Sequence, residues 1–326
     1  MVTSTLNVLR VGFVPEHFSS PLHIAAELGF FEKEGVVVEL ICCPSGTGEM
    51  TAKLIDGSLD VAIALTEGLL AGIAKGHDAY KIIGTYVKSP LCWAISVGQE
   101  SRHVDRKSLQ DGTIGISRIG SGSHIVPFVL AEQEGWLKGT SPADSAYKAP
   151  FEFNVLNTFQ NMRDSVNDGT SDAFLWEKFT TKPYHDSKEV RSVDTITPPW
   201  PAFMIAASTR VLPSSSTTST DPQRKTMVAR FLKALSAATA HFIDPAHYDE
   251  SIAFVQQKMS YTQQDVKDWF SGVEYPQEGC AVVKEEGLTT CARVLLGAGV
   301  LQKEQDTDVK TNLKTKYVDA DVTVVV

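Results

Sequence analysis

Over residues 8–87, strand-forming and helix-forming segments alternate with only short connections between them. Residues 8–14 (VLRVGFV) are a β-rich run ending at Pro15, and residues 21–31 carry Leu22, Ala25, Ala26 and Phe30 at helical spacing. Residues 36–41 (VVVELI) read as a second strand stopped by Cys42-Cys43-Pro44, and residues 49–55 as a short helix closed by Asp56-Gly57. Residues 60–65 (DVAIAL) have the unbroken apolar character of a strand covered on both faces. Thr66-Glu67-Gly68 opens a helix running through Lys75, and residues 81–87 (KIIGTYV) close the series. A β-α-β-α-β-α-β order with short links predicts an open, mostly parallel sheet with right-handed crossovers. Ligands of such sheets sit beyond the carboxyl ends of the strands. That rule nominates the loops at Pro15-Glu16-His17, Ser45-Gly46-Thr47-Gly48 and Thr66-Glu67.

A second α/β series follows. Strands are expected at residues 91–97, 113–117, 151–156 and 172–176, with helices from Gly120-Ser121-Gly122-Ser123-His124 to about residue 133 and over 159–166. Pro198-Pro199-Trp200-Pro201 is a rigid connector before a strand at 202–207. The remainder is mostly helical. Residues 224–244 place Met227, Phe231, Leu235, Ala238 and Phe242 on one face. Further helices are expected at 248–259, at 262–273 behind a Thr262…Asp265 cap, and at 285–296. Residues 214–220 (SSSTTST) read as a polar loop, and 322–326 as an edge strand or a ragged tail.

A length of 326 residues predicts about two domains, and 43% hydrophobic residues exclude a disordered chain. A net charge of -9 disfavours nucleic acid as a partner. No apolar run approaches the ~20 residues of a membrane span, so no membrane partner is expected. Residues 1–10 lack a leader pattern, which gives a cytoplasmic expectation. The five cysteines include a vicinal Cys42-Cys43 pair but no C-x-x-C, and read as buried reduced thiols.

The chain has no G-x-S-x-G elbow, and neither glycine-rich loop is followed by the lysine of a P-loop. His17 and His23 are six apart, and His77, His103 and His124 are scattered. No metal, cofactor or catalytic residue is therefore expected. Small polar loops remain. Ser121, Gly122, Ser123 and His124 open a helix whose amides and dipole suit a phosphate, sulfonate or carboxylate, and Ser45, Gly46 and Thr47 offer the same device in what reads as an equivalent place. Each loop alone is also an ordinary N-cap with a tight turn. Glu67 and Glu177 follow buried strands, and either pair with a ligand nitrogen or sit solvated at a helix start. Trp176 and Trp200 offer faces to a planar ligand, with hinge packing the alternative for Trp200. Arg118 is either an anion's counter-charge or the partner of a nearby carboxylate, and His17 either lines the first loop's site or is an ordinary exposed histidine.

Gly29-Phe30-Phe31 with Glu34-Gly35, the turn from Gly57 to Asp60 with its apolar strand, and the helix from Gly68 to Gly76 resemble the type 2 periplasmic-binding-protein fold. The likeness is to the branch holding the alkanesulfonate-, taurine- and nitrate-binding proteins and the fungal thiamine-pyrimidine synthases, and more narrowly to a fungal family with this fold. SLQDGTIGISRIGSGSH and DGTSDAFLWE are similar to that fold's second-domain segments, so the resemblance spans about residues 8–210. It implies a two-lobed α/β protein, each lobe a mostly parallel sheet flanked by helices, with a ligand cleft between the lobes. The implied boundaries are 1–89 for lobe I, 90–207 for lobe II and 208–326 for the return to lobe I, with crossovers near 88–91 and 206–210. The implied lining is His17, Ser45, Gly46, Thr47, Thr66, Glu67, Arg118, Ser121, Gly122, Ser123, His124, Trp176 and Glu177. The synthases' lysine and histidine fall on Ala64 and Gly68, and no cysteine-rich run follows Trp176. The expected function is an intracellular, non-enzymatic sensor, carrier or buffer of a small ligand, such as a sulfonate, a phosphate ester or a pyrimidine-like ring. The alternatives are an enzyme of thiamine-precursor or pyrimidine metabolism with other catalytic residues, and an exported transporter-associated binding protein.

Overall fold

A computed structural model describes residues 8–139, 141–212, 222–259 and 261–326. The polar run at 214–220 lies outside these residues. The chain divides into two compact units, one from 8–89, 201–288 and 309–326, the other from 90–200 and 289–308.

The first unit starts with β1 (Val8–Phe13), α1 (Ser20–Glu27), α2 (Phe30–Lys33), β2 (Val37–Cys42), α3 (Thr47–Asp56), β3 (Val61–Leu65), α4 (Thr66–Ala74) and β4 (Tyr80–Val87). The single helix expected over 21–31 is two, because Gly29 adopts φ 71 and breaks the chain between them. The second unit contains β5 (Trp93–Gly98), β6 (Thr113–Ile116), α5 (Gly122–Gln133), β7 (Glu152–Val155), α6 (Phe159–Asp168), β8 (Ala173–Glu177), α7 (Lys178–Asp186) and β9 (Val190–Ile196). The chain then continues with β10 (Phe203–Ser208), α8 (Pro222–Ile243), α9 (Tyr248–Lys258), α10 (Gln263–Gly272), β11 (Val282–Val283), α11 (Glu285–Gly297), α12 (Lys303–Asn312) and β12 (Val324–Val325).

The first unit's sheet has the order β2-β1-β3-β10-β4, and the second unit's β7-β6-β8-β5-β9. In the first, β1 is parallel to β2 and β3, while β10 runs antiparallel to both β3 and β4. In the second, β6 is parallel to β7 and β8, while β5 runs antiparallel to β8 and β9. The two sheets therefore follow one plan, with the antiparallel strand entering last in one and first in the other.

Two boundaries need correction. The expected second lobe ended at 207, but β10 pairs with β3 and β4, so the first unit resumes at 201, inside the Pro-Pro-Trp-Pro connector. Residues 289–308, expected in the first lobe, belong to the second unit. There Tyr147 Oη donates to the Gly297 carbonyl at 3.1 Å, and a Cβ on Gly299 would meet Pro142.

Strand β4 ends the first sheet yet is almost wholly buried. Its free edge is covered by the C-terminal chain: Thr85 N donates to Cys280 O at 2.9 Å, Thr85 Oγ1 to Val282 O at 2.7 Å, and Asp319 N to Ile82 O at 3.0 Å. A covered edge cannot recruit another strand. The approach is close enough to demand glycine at 84, where a Cβ would lie 2.0 Å from Cys280 O. The parallel β11–β12 pair completes this cover, so the C-terminal valines do form a short strand. No described helix is long and apolar enough to cross a membrane.

Candidate functional site

In the first unit, the parallel β2, β1 and β3 send their carboxyl ends to one edge of the sheet. The chain after β1 turns through a short 3-10 helix, His17–Ser19. His17 is buried, not exposed, at 1% relative accessibility. Its ring meets those of Phe18, Tyr261 and Trp269 at centroid distances of 4.4, 5.3 and 4.7 Å, and Nδ1 lies 3.3 Å from Tyr261 Oη. Burial lowers its pKa from 6.5 to about 3, so it is a neutral imidazole.

After β2, Ser45 is exposed and Gly46 is the N-cap of α3 with φ 75 and ψ -152, a conformation that favours glycine. Nothing lies within 4 Å of a Cβ built on Gly46. Thr47 is buried, and its Oγ1 accepts the Leu65 amide at 3.1 Å, tying this loop to the end of β3. Thr66 is fully buried and donates its hydroxyl to Pro201 O, which fastens the start of β10. Glu67 is buried in the first turn of α4, where the helix dipole favours its carboxylate. Gly68 packs directly on Thr47, since a Cβ there would be 2.5 Å from Thr47 Cγ2. Position 68 therefore has no room for an imidazole.

In the second unit, the carboxyl ends of β7, β6 and β8 share an edge in the same way. Arg118 is exposed, and its carbonyl accepts Ser121 Oγ at 2.7 Å. Ser121 Oγ and Ser123 Oγ are 2.8 Å apart, and Ser123 Oγ accepts the Ser117 amide at 3.0 Å and lies 3.2 Å from Ser117 Oγ. The three hydroxyls thus satisfy one another and the loop backbone. Helix α5 begins at the buried Gly122 with no side-chain cap on its amides. His124 is buried, accepts the Gly120 amide on Nδ1 at 3.2 Å, and packs edge-on against Phe128 and Phe153.

Trp176 and Glu177 end β8. Trp176 is half-buried, stacked on Phe159 at 5.1 Å and 20°, and packed on the cluster of Met162, Val166, Phe174 and Val190. This ring is part of the second unit's core. Glu177 caps α7, accepting the Thr180 amide at 2.6 Å and its hydroxyl at 2.8 Å. Burial raises its pKa, against the lowering effect of these hydrogen bonds. It is neither a solvated carboxylate nor free of local work.

The expected equivalence of the two glycine-rich loops does not hold. The 45–48 loop follows β2, whose counterpart is β7, whereas the 120–124 loop follows β6, the counterpart of β1. The positional partner of Ser121–His124 is the His17 turn, and both bring a buried histidine to their sheet edge. Glu67 and Glu177 lie at corresponding strand-to-helix junctions, β3–α4 and β8–α7, but not at corresponding positions: Glu177 ends its strand and caps the helix, whereas Glu67 is the second residue of α4.

Several neighbours of these residues had no local signal. Tyr261, in the link between α9 and α10, and Trp269 of α10 reach His17, and Ser117 joins the serine network from the end of β6. The buried indole nitrogens of Trp93 and Trp269 have no hydrogen-bond partner. Trp93 faces Glu177 across the β5–β8 ladder, and its ring meets that of Trp176 at 6.4 Å. Of the cysteines, Cys43, Cys280 and Cys291 are buried, but Cys42 is exposed.

Two sheets of this order, each with polar loops at the carboxyl ends of its parallel strands, define the type 2 periplasmic-binding-protein class. Family profiles described as Ca3427-like PBP and NMT1-like match residues 93–196 and 4–111. The chain is 33% identical to the Candida albicans CA3427 gene product, described as defining a new family with the generic periplasmic-binding-protein fold. That match covers 97% of this chain and 99% of the other at a TM-score of 0.79. The chain belongs to the CA3427-like family. The aliphatic sulphonate binding protein SsuA of Escherichia coli shares the fold at 16% identity and a TM-score of 0.66, over 98% of this chain and 92% of that one. The nitrate-binding protein NrtA of Synechocystis PCC 6803 does so at 15% and 0.67, over 98% and 87%. Among curated proteins none matches.

Proposed function

We propose that this protein binds a small anionic molecule, of the sulfonate or phosphate-ester kind, at the start of α5. The observation that carries this reading is the 117–124 loop. Its serine hydroxyls are consumed in holding the turn, α5 has no side-chain cap, and the exposed Arg118 lies in the same loop, three residues before Ser121. Backbone N–H groups at a helix N-terminus, with a guanidinium nearby, are an anion-binding arrangement. The sulphonate- and nitrate-binding names of the structural neighbours support the same ligand class. In this reading the protein is an intracellular carrier, sensor or buffer. Five free cysteines, one of them exposed, favour a reducing compartment, and subcellular fractionation tests it.

Gly122→Pro tests the site. Proline is tolerated at the first position of a helix, and Ser121 already has the extended backbone that a following proline requires, with φ -79 and ψ 165. The variant should keep its circular dichroism yet lose one amide donor to a charged ligand, lowering affinity about tenfold. Calorimetric titration of both proteins with alkanesulfonates, nitrate and phosphate monoesters measures this. Unchanged affinity in Gly122→Pro would reject the start of α5. Binding of a neutral pyrimidine, with no anion bound, would reject the ligand class.

A further inference from the structure

The C-terminal helices hold a cluster that the reading of the scattered histidines passed over. We propose that His241, His247 and Glu250 bind a divalent transition-metal ion of the zinc class. Each offers one ligand atom within 4.8 Å of the other two. The spacing is built by the local chain. Helix α8 ends at Ile243, and Pro245 opens a single 3-10 turn, Pro245–His247. Asp244 caps that turn by accepting the Ala246 amide at 2.9 Å, and its carbonyl accepts the His247 amide at 2.9 Å. The reversal lays the His247 ring against that of His241, with centroids 3.8 Å apart and planes at 34°. Glu250, in the first turn of α9, brings Oε2 to 3.1 Å from His247 Nδ1.

Two imidazoles and a carboxylate are the donor set of Zn2+, Co2+ and Ni2+ rather than of Mg2+ or Ca2+. Tetrahedral zinc with bonds of about 2.1 Å separates its ligand atoms by about 3.4 Å. The partly exposed His247 and the exposed Glu250, at 35% and 77% side-chain accessibility, can close that difference by small rotations. Lys33 opposes a cation here, and Asp244 and Glu250 favour one. Glu250 also lines a recess of about 560 Å³ with Ile243, Pro245, Ala246, Tyr248 and Asp249. The site owes nothing to the anion-binding loop and is tested separately.

The test is competition between full-length, tag-free, chelator-stripped protein and a chromophoric chelator for Zn2+, repeated with Co2+ to read visible absorption. The native chain should take one equivalent. His247→Ala should weaken it about tenfold or more, as should Glu250→Gln, whose exposed side chain leaves folding intact. Cys42→Ser should leave it unchanged. The proposal fails if the native chain takes up no stoichiometric Zn2+, if both site variants bind as the native chain does, or if Cys42→Ser abolishes uptake.

Discussion

The burial of His17 has a consequence for stability that can be worked out. In the unfolded chain its imidazole titrates at 6.5, while in the folded protein the pKa is lowered to about 3. Between those values the unfolded chain binds the proton and the folded protein does not, so stability is full above 6.5 and is lost as the pH falls. From pH 7 to pH 5 the loss from this one group is about 2 kcal/mol. His17→Phe removes the proton site while placing another ring among Phe18, Tyr261 and Trp269. Urea unfolding of both proteins at the two pH values should show the native chain losing about 2 kcal/mol more than the variant. His23, His185 and His241 also have pKa values lowered chiefly by burial, but they are common to both proteins and cancel in the difference. Proton NMR gives a direct reading, since the His17 ring resonances should not move between pH 7.5 and 5. A titration near 6.5, or parallel pH dependences in the two proteins, would refute the reasoning.

Glu177 and Gly84 give two further tests. Glu177→Ala should cost about 1–2 kcal/mol through the lost cap of α7, read as a lower melting temperature. Glu177→Gln keeps the shape. Because the native carboxyl has a raised pKa, the stability it contributes is present at low pH and lost as pH rises through that value, so the native chain should lose ground to Glu177→Gln from pH 4 to 7. Gly84→Ala drives a Cβ to 2.0 Å from the Cys280 carbonyl, and thermal melting should show a loss of about 1–3 kcal/mol or more. A melting point unchanged from the native chain would mean that the C-terminal cover of β4 is not tightly held.

Alternating strand and helix signals were enough to place β1 to β4, because buried parallel strands such as Val61–Leu65 are continuous apolar runs with clear stops. Helix α7 and strand β9 left no such mark. The first has a polar composition with Pro183 inside it, and the second is an edge strand with alternating burial. The candidate loops were legible as loops, since they lie where strands end. Their occupants' roles were not. Thr47, Thr66 and Glu177 look in sequence like groups free to meet a ligand, and in the fold each is bonded to a neighbouring segment.

By itself, then, the sequence determined the class of fold and the edge of each sheet where polar loops gather, because hydrophobic period and turn chemistry are local properties. Tertiary structure decided which strand crosses into which sheet, as β10 does between β3 and β4. It brought Tyr261 and Trp269 to His17 across 244 residues and more, and turned that histidine from an exposed loop residue into a neutral core ring. It also set His247 over His241. Those outcomes depend on contacts between segments far apart in the chain, or on the exact course of a turn, and neither is written in the periodicity of any one segment.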